Sequence, residues 1–289
     1  MVVTRATETP SELWPAPAKL NLFLRVTGKS SSGYHDLQTL FQILNWGDEL
    51  SISINHSGNI TRSCNLKDLS EAEDISVKAA RMLKSCCDIR MGADIVLNKR
   101  IPMGAGLGGG SSDAATVLVA LNSLWSCGLT SPQLAELGLQ LGADVPVFVH
   151  GCSAWAEGRG EKLQAVSLGS RHYVLVFPGL HVSTAGVFNH AALKRDSKPL
   201  EIQLSRLAPG RNDCEIPVFA MYPELKRIKQ EASHWGQVYM TGTGSTLFLP
   251  FDSEKSAIKA AGELKCRYNV RAVEGVDRSP LLDRLSFEG

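Results

Sequence analysis

Five glycines and two serines fall within residues 104–112 of "IPMGAGLGGGSSDAATVLVALNSLW", immediately ahead of an apolar run. Glycine lets backbone N–H groups turn toward an anion, and a helix starting there adds the positive end of its dipole. The chemistry this stretch supports is the cradling of phosphate. Gly104, Gly106 and Gly109 satisfy G-x-G-x-x-G, but a dinucleotide turn follows its strand directly, whereas "KRIPM" intervenes here with Pro102. No acid stands between Asp113 and Glu136 to take a ribose, and no G-x-x-x-x-G-K-[ST] occurs. A phosphate loop of another kind remains, with Ser111 and Ser112 as hydroxyl donors at the helix start. The bland alternative is a flexible loop leading to an N-cap serine.

Two charged residues in apolar settings add reactive groups. Asp144 in "LGADVPVFV" reads either as a helix-end or turn aspartate or as a general base. Lys19 in "APAKLNLFL" lies in a strand pattern, where lysine ordinarily faces water, and Asn21, two residues on, shares its face. Tyr34 and His35 offer an aromatic plane and a ring able to donate and accept, which suits a flat polar ring, although such side chains more often pack or hydrate.

The elements that must hold these residues alternate between strand and helix. "AKLNLFLRVTG", "DELSISIN" and "GADIVLNKRI" read as strands, with "SSGYHDLQ" a turn after the first. "AEDISVKAARMLKSCC" reads as a helix with Asp74 in its first turn, residues 112–125 as a second, and "SPQLAELGLQLG" as a third with Ser131 as N-cap and Pro132 at N1. The second half brings a buried strand "HYVLVFPG", a helix at "PELKRIKQEA", strands "VYMTG" and "LFLPF" around the turn "TGTGST", and a helix "SEKSAIKAAGELKC". The pattern predicts an α+β chain in two lobes, residues 1–158 and 159–289.

Composition narrows the setting. A net charge of +1 over 289 residues argues against broad attraction to nucleic acid or anionic membrane. No apolar run has the length of a bilayer span, and "MVVTRATETPSELW" has no secretory core, so the expectation is a soluble cytoplasmic protein. Seven cysteines with no C-x-x-C pair fit reduced thiols.

"PMGAGLGGGSSDAA" resembles the P-x-x-x-G-L-G-x-S-S-x-A signature of the GHMP small-molecule kinases. "PAPAKLNLFLRVTGKSSSGYHDLQTLFQ", "GADVPVFVHG", "EGRGEKL", "RNDCE" and "MTGTGSTLF" extend the resemblance from about residue 15 to about residue 249, toward the branch whose acceptor is a cytidine diphosphate derivative of methylerythritol. The resemblance implies a two-lobed fold: an N-terminal lobe like domain 2 of ribosomal protein S5, and a C-terminal lobe with a four-stranded antiparallel sheet and helices. It implies ATP as phosphoryl donor with Mg²⁺, Asp144 as base and Lys19 as its cationic partner at the emerging alkoxide. Donor contacts would come from Lys99, Pro102, Met103, Gly104, Ala105, Gly106, Leu107, Gly108, Gly109, Gly110, Ser111 and Ser112, and acceptor contacts from Asn21, Tyr34, His35, Thr184 and Phe188. Metal ligands are not named by the resemblance, with Ser111 the one candidate, and the oligomeric state, monomer or homodimer, stays open. Asp74 and Asp113 stand where the family commonly has asparagine, and Ala105 replaces a glycine. An added acid beside triphosphate repels it unless neutralised or turned away. Kinases of the homoserine or mevalonate type are the nearest rivals, and a silent nucleotide-binding regulator is the rival from another class.

Overall fold

The computed structural model describes residues 11–29, 33–66, 70, 74–201 and 208–286. The N-terminal stretch read as lacking a secretory core lies largely outside them, as do Ser31 and Ser32 of the expected turn. Two long strands, β1 (Glu12–Lys29) and β2 (His35–Asn55), form an antiparallel pair that brings Lys19 opposite Ile43 and Asn21 opposite Phe41. The strands run well beyond the "AKLNLFLRVTG" and "DELSISIN" segments, because the residues of "HDLQTLFQILNWG" pair with β1 along its length instead of forming a turn. Register shifts between Pro17 and Lys19 and between Asn21 and Leu24 break the alternation, so β1 buries every residue from Ala16 to Leu24.

Strand β3 (Ile60–Cys64), which the sequence pattern missed, lies parallel to β4 (Gly92–Asn98), and β4 pairs antiparallel with β2. Between them runs α1 (Ile75–Cys86). Helix α2 (Gly109–Leu124) is buried continuously from Ser112 to Leu121, as a helix apolar all round must be. Next come α3 (Ser131–Leu139) and α4 (Val145–His150). The N-cap of α3 is Thr130, not Ser131: Thr130 and Gln133 form a capping box, and Ser131 becomes the first helical residue.

After the antiparallel pair β5 (Ala154–Gly158) and β6 (Lys162–Ala165), the chain continues into β7 (Arg171–Phe177), α5 (Thr184–Asn189), α6 (Glu215–Met221) and α7 (Pro223–Ala232). Strands β8 (Tyr239–Met240) and β9 (Leu247–Phe251), helix α8 (Glu254–Leu264), strand β10 (Asn269–Val276) and helix α9 (Pro280–Ser286) complete it. β10, β7, β9 and β8 make the expected four-stranded antiparallel sheet. Its edge strand β10 also pairs with β2 at Gly275–Leu44 and Val276–Ile43, so one ten-stranded sheet runs through both halves.

Three apolar clusters follow. One packs α1, α2 and α4 on the first half of the sheet around Phe41, Ile52, Leu118 and Phe148, and Leu281 of α9 returns to it. A second packs α7 and α8 around Val176, Ile228, Leu249 and Leu264. The third lies at the join, where Leu20, Leu22, Leu44, Tyr173 and Phe248 meet Ala105 and Leu107 from the glycine stretch.

Candidate active site

The glycine stretch is a built loop rather than a flexible one. Ala105 and Leu107 bury their side chains in the joining core, while Gly104, Gly106 and Gly108, which alternate with them, take positive φ. The two side chains anchor the loop and leave its backbone to line a cavity of about 570 Å³. A second turn locks onto it from residues 241–246: Thr246 N–H donates to the Ala105 carbonyl at 3.2 Å. A Cβ on Gly106 would stand 2.4 Å from the Thr241 carbonyl oxygen, so the turns meet backbone to backbone.

Helix α2 opens with Gly108 in the left-handed region and no side-chain cap, and its Ser112 N–H is the first of that turn bonded back, to the Gly108 carbonyl. The amides of Gly109, Gly110 and Ser111 precede it, at the positive end of a helix of 16 residues, where an anion is favoured. Ser111 lines the cavity. Ser112 corrects the reading of both serines as donors toward a ligand: its side chain is buried and its hydroxyl donates to the Pro17 carbonyl at 2.6 Å. That bond, with Thr116 donating to the Pro15 carbonyl, pins α2 to β1.

Lys19 does not face water. It is 3 % exposed, and its ammonium lies 3.2 Å from Asp144 Oδ2, donates to Asn21 Oδ1 at 2.5 Å and to the Gly106 carbonyl at 3.2 Å, and sits over the Phe41 ring. Asp144 occupies the N-cap position of α4, yet its carboxylate makes no capping bond and turns to Lys19 instead. The helix-end reading of this aspartate describes its backbone, and its side chain is left facing the lysine. Asn21 is held by Thr39, whose hydroxyl receives its amide N–H at 2.9 Å, and by Thr241, whose hydroxyl accepts the Asn21 backbone N–H at 2.8 Å. A carboxylate, an ammonium and an amide thus share the floor of the cavity beside the phosphate loop, an arrangement able to take a proton from an alcohol and to balance the charge that appears.

The two unexpected acids are neutralised differently. Asp74 caps α1, accepting from the Ser76 backbone N–H, and its other oxygen lies 2.8 Å from Arg62 Nε. Asp113 shares Lys99 with Asp48, the ammonium lying 2.7 Å and 2.5 Å from their oxygens. All three are buried, and Asp113 Oδ1 has no hydrogen-bond partner. One ammonium cannot balance two carboxylates. Desolvation, only partly opposed by Lys99 and reinforced by Asp48, holds the Asp113 carboxyl well above the usual carboxylate range. Asp48 also accepts from the backbone N–H groups of Arg100 and Ile101, fixing the strand exit that leads into the glycine loop.

On the opposite wall, Phe188 of α5 stacks on His35 with ring centroids 5.1 Å apart. Arg195, which no sequence signal marked, donates to His35 Nε2 at 3.1 Å and to the Phe188 carbonyl at 2.8 Å, binding the two together. Burial, then the charges of Arg195 and Lys29, lower the His35 pKa, and the accepting role of Nε2 places the proton of the neutral ring on Nδ1. Tyr34 is 55 % exposed, and its ring carries the Arg159 guanidinium at 4.2 Å. Thr184 lines the cavity with its hydroxyl 3.1 Å from that of Thr243 in the second turn. Lys19, Asn21, Lys99, residues 102–111, Asp144, Thr184 and Phe188 thus border one cavity; Tyr34, His35 and Ser112 do not line it, although Tyr34 lies against Arg159 and His35 against Phe188, which do. Asp48 and Arg195 reach the site through other residues, and Thr39, which also borders the cavity, holds Asn21. Their only trace in the sequence is a polar residue in or beside an apolar stretch.

Known proteins place this geometry. Residues 74–152 match the GHMP kinases N terminal domain and residues 188–270 the GHMP kinases C terminal domain. The chain is 49 % identical over 278 residues to a 4-diphosphocytidyl-2-C-methyl-D-erythritol kinase of Alkalilimnicola ehrlichii, covering 96 % of each, and 46 % identical over 274 residues to that of Vibrio cholerae, covering 95 % and 94 %. A crystal structure of 4-(cytidine 5'-diphospho)-2C-methyl-D-erythritol kinase superposes with a TM-score of 0.80 at 34 % identity, over 92 % of this chain and 99 % of that one. A homoserine kinase from Cytophaga hutchinsonii shares the fold at a TM-score of 0.69 and 16 % identity, over 96 % and 98 %. From its two matched domains and its likeness to these relatives over nearly the whole chain, the protein belongs to the GHMP kinase family, in the branch of the 4-diphosphocytidyl-2-C-methyl-D-erythritol kinases.

Proposed function

We propose that the protein transfers the γ-phosphoryl group of ATP to the 2-hydroxyl of 4-diphosphocytidyl-2-C-methyl-D-erythritol, giving the 2-phosphate and ADP, as a soluble cytoplasmic step of non-mevalonate isoprenoid synthesis. The observation that carries this reading is the Lys19–Asp144 pair at 3.2 Å, set between the glycine loop and the Phe188–His35 rings. Triphosphate lies along the loop with its terminal oxygens toward the α2 amides, and Lys99 and the segment from Pro102 onward border the nucleoside. Asp144 accepts the proton of the acceptor hydroxyl as its oxygen attacks phosphorus, while Lys19 and Asn21 meet the charge on the oxygens in flight. Phe188 and His35 take the cytosine, His35 offering its Nδ1 proton to the base edge, with Tyr34 beside them.

No cluster of three or more His, Cys, Asp or Glu among the described residues could hold a metal ion. Mg²⁺ fits this site as a companion of the triphosphate, with the Ser111 hydroxyl as the candidate protein ligand, and when bound it would offset phosphate charge. The boundary between the lobes falls near residue 158, before the Gly158–Gly160 turn.

The test is incubation with ATP, Mg²⁺ and a panel of alcohols that includes homoserine and mevalonate, following ADP and phosphorylated product. Product from the cytidine diphosphate derivative alone is expected. Turnover of homoserine or mevalonate overturns the assignment, and ATP binding without turnover of any alcohol leaves a regulator.

A further inference from the structure

Three cations line the cavity, and two of them are already balanced: Lys19 by Asp144, and Lys99 by Asp48 and Asp113. The third, Arg159, is not. Its Nε is buried without a hydrogen-bond partner, and no carboxylate among the described residues pairs with its guanidinium. What holds it is a face and a backbone: the guanidinium carbon stands 4.2 Å from the centre of the Tyr34 ring, and the Arg159 backbone N–H donates to Glu161 Oε2 at 2.6 Å. A guanidinium taken partly out of water without a counter-ion carries a desolvation cost that an anion in the cavity would offset.

The position of Arg159 decides which anion. It lies in the turn between β5 and β6, where Gly158 pairs with Leu37, three residues beyond Tyr34. Gly160, its other neighbour, reaches toward the carbonyl of Ala143, the residue before Asp144; a Cβ there would stand 4.0 Å from that oxygen. Arg159 therefore lies between Tyr34, at the aromatic end of the cavity, and the loop that carries the base.

We infer that Arg159 holds the diphosphate of the acceptor, and so selects a nucleoside diphosphate alcohol over an uncharged nucleoside. This rests on the proposed function: with the base against Phe188 and His35 and the reacting hydroxyl at Asp144, the two phosphates span the stretch that Arg159 borders. A planar guanidinium already lying on an aromatic face presents its in-plane N–H edge to two oxygens with little further ordering.

Calorimetric titration with cytidine, CMP, CDP and ATP in Mg²⁺-free buffer tests it on the wild type, Arg159→Gln and Arg159→Lys. The wild type is expected to bind CDP about 10- to 100-fold more tightly than cytidine, the range of charge-assisted hydrogen bonds. Arg159→Gln loses most of that preference through weaker CDP binding, Arg159→Lys keeps part of it, and ATP affinity is unchanged in both. An unchanged CDP-to-cytidine ratio in Arg159→Gln overturns the role of Arg159 and leaves the cytidine site standing. A fall in ATP affinity instead assigns the guanidinium to the donor and equally overturns it. A wild type that binds neither cytidine nor CDP overturns the proposed function and this inference together.

Discussion

At the scale of single residues the site divides into groups that do chemistry and groups that hold them. Asp144→Asn removes the base but keeps its size, so kcat is expected to fall by roughly 10²- to 10⁴-fold with little change in substrate affinity. Near-normal turnover at saturating substrates would contradict its role. Phe188 is half-buried, packed on one side against the second cluster and on the other against His35. Phe188→Ala is expected to weaken cytidine binding by about 1 to 3 kcal/mol, with ATP affinity constant and a stability loss below the roughly 3 to 5 kcal/mol of a core phenylalanine. Tyr34→Ala is expected to weaken cytidine binding in the same way and also to release Arg159, whose guanidinium lies on that ring. Calorimetry with each nucleotide and thermal unfolding separate these outcomes. Asp113 adds a pH dependence with a defined sign: its carboxyl titrates well above the usual range in the folded protein, so the folded state holds a proton that the unfolded chain has released. Its contribution is present below the ordinary carboxylate pKa and is lost as pH rises through the raised value. Asp113→Asn is expected to flatten stability against pH in that window, which unfolding at a series of pH values measures.

At the scale of elements, the glycine loop and the start of α2 form one device. A Cβ on Gly108 would stand 2.9 Å from the Phe148 ring and 3.1 Å from Lys19 Cε, in a backbone conformation that branched residues resist. A side chain there is therefore aimed at Phe148 and Lys19. Gly108→Val is expected to displace Lys19 as well as the loop, lowering kcat and ATP affinity together; normal ATP affinity by calorimetry would contradict the loop's role. The run of glycines and the apolar helix were plain in the sequence because both signals are local. The division of labour between Ser111 and Ser112 was not, because it depends on which of two adjacent helical side chains faces β1. The reach of β2 was equally hidden: a strand buried on both faces loses the alternation by which strands are read.

At the scale of the whole molecule, β10 joins the two halves through Gly275 and Val276. A Cβ on Gly275 would meet Gln42 and Tyr173 at 2.8 Å, at the point where the sheet passes from one half to the other. Gly275→Val is expected to cost about 1 to 3 kcal/mol, the usual penalty of overpacking, and to broaden or split the single thermal transition expected of a continuous sheet. Calorimetric unfolding of the two proteins checks this, and an unchanged sharp transition would show that the joint is not a weak point.

The sequence by itself determined what depends on neighbours along the chain: the phosphate loop with its helix, the alternation of strands and helices, the sharing of one strand face by Lys19 and Asn21, and, through long ordered motifs, the family. Tertiary structure alone decided what depends on residues far apart. Asp144 meets Lys19 from 125 positions away in the chain, and the closure of β2 onto β4 and β5 brings Asp48 to Lys99 and Arg159 to Tyr34. Whether a charge in a cavity is balanced or open to a ligand is set by its neighbours in space, because electrostatic interaction falls with distance through the fold and takes no account of separation along the chain.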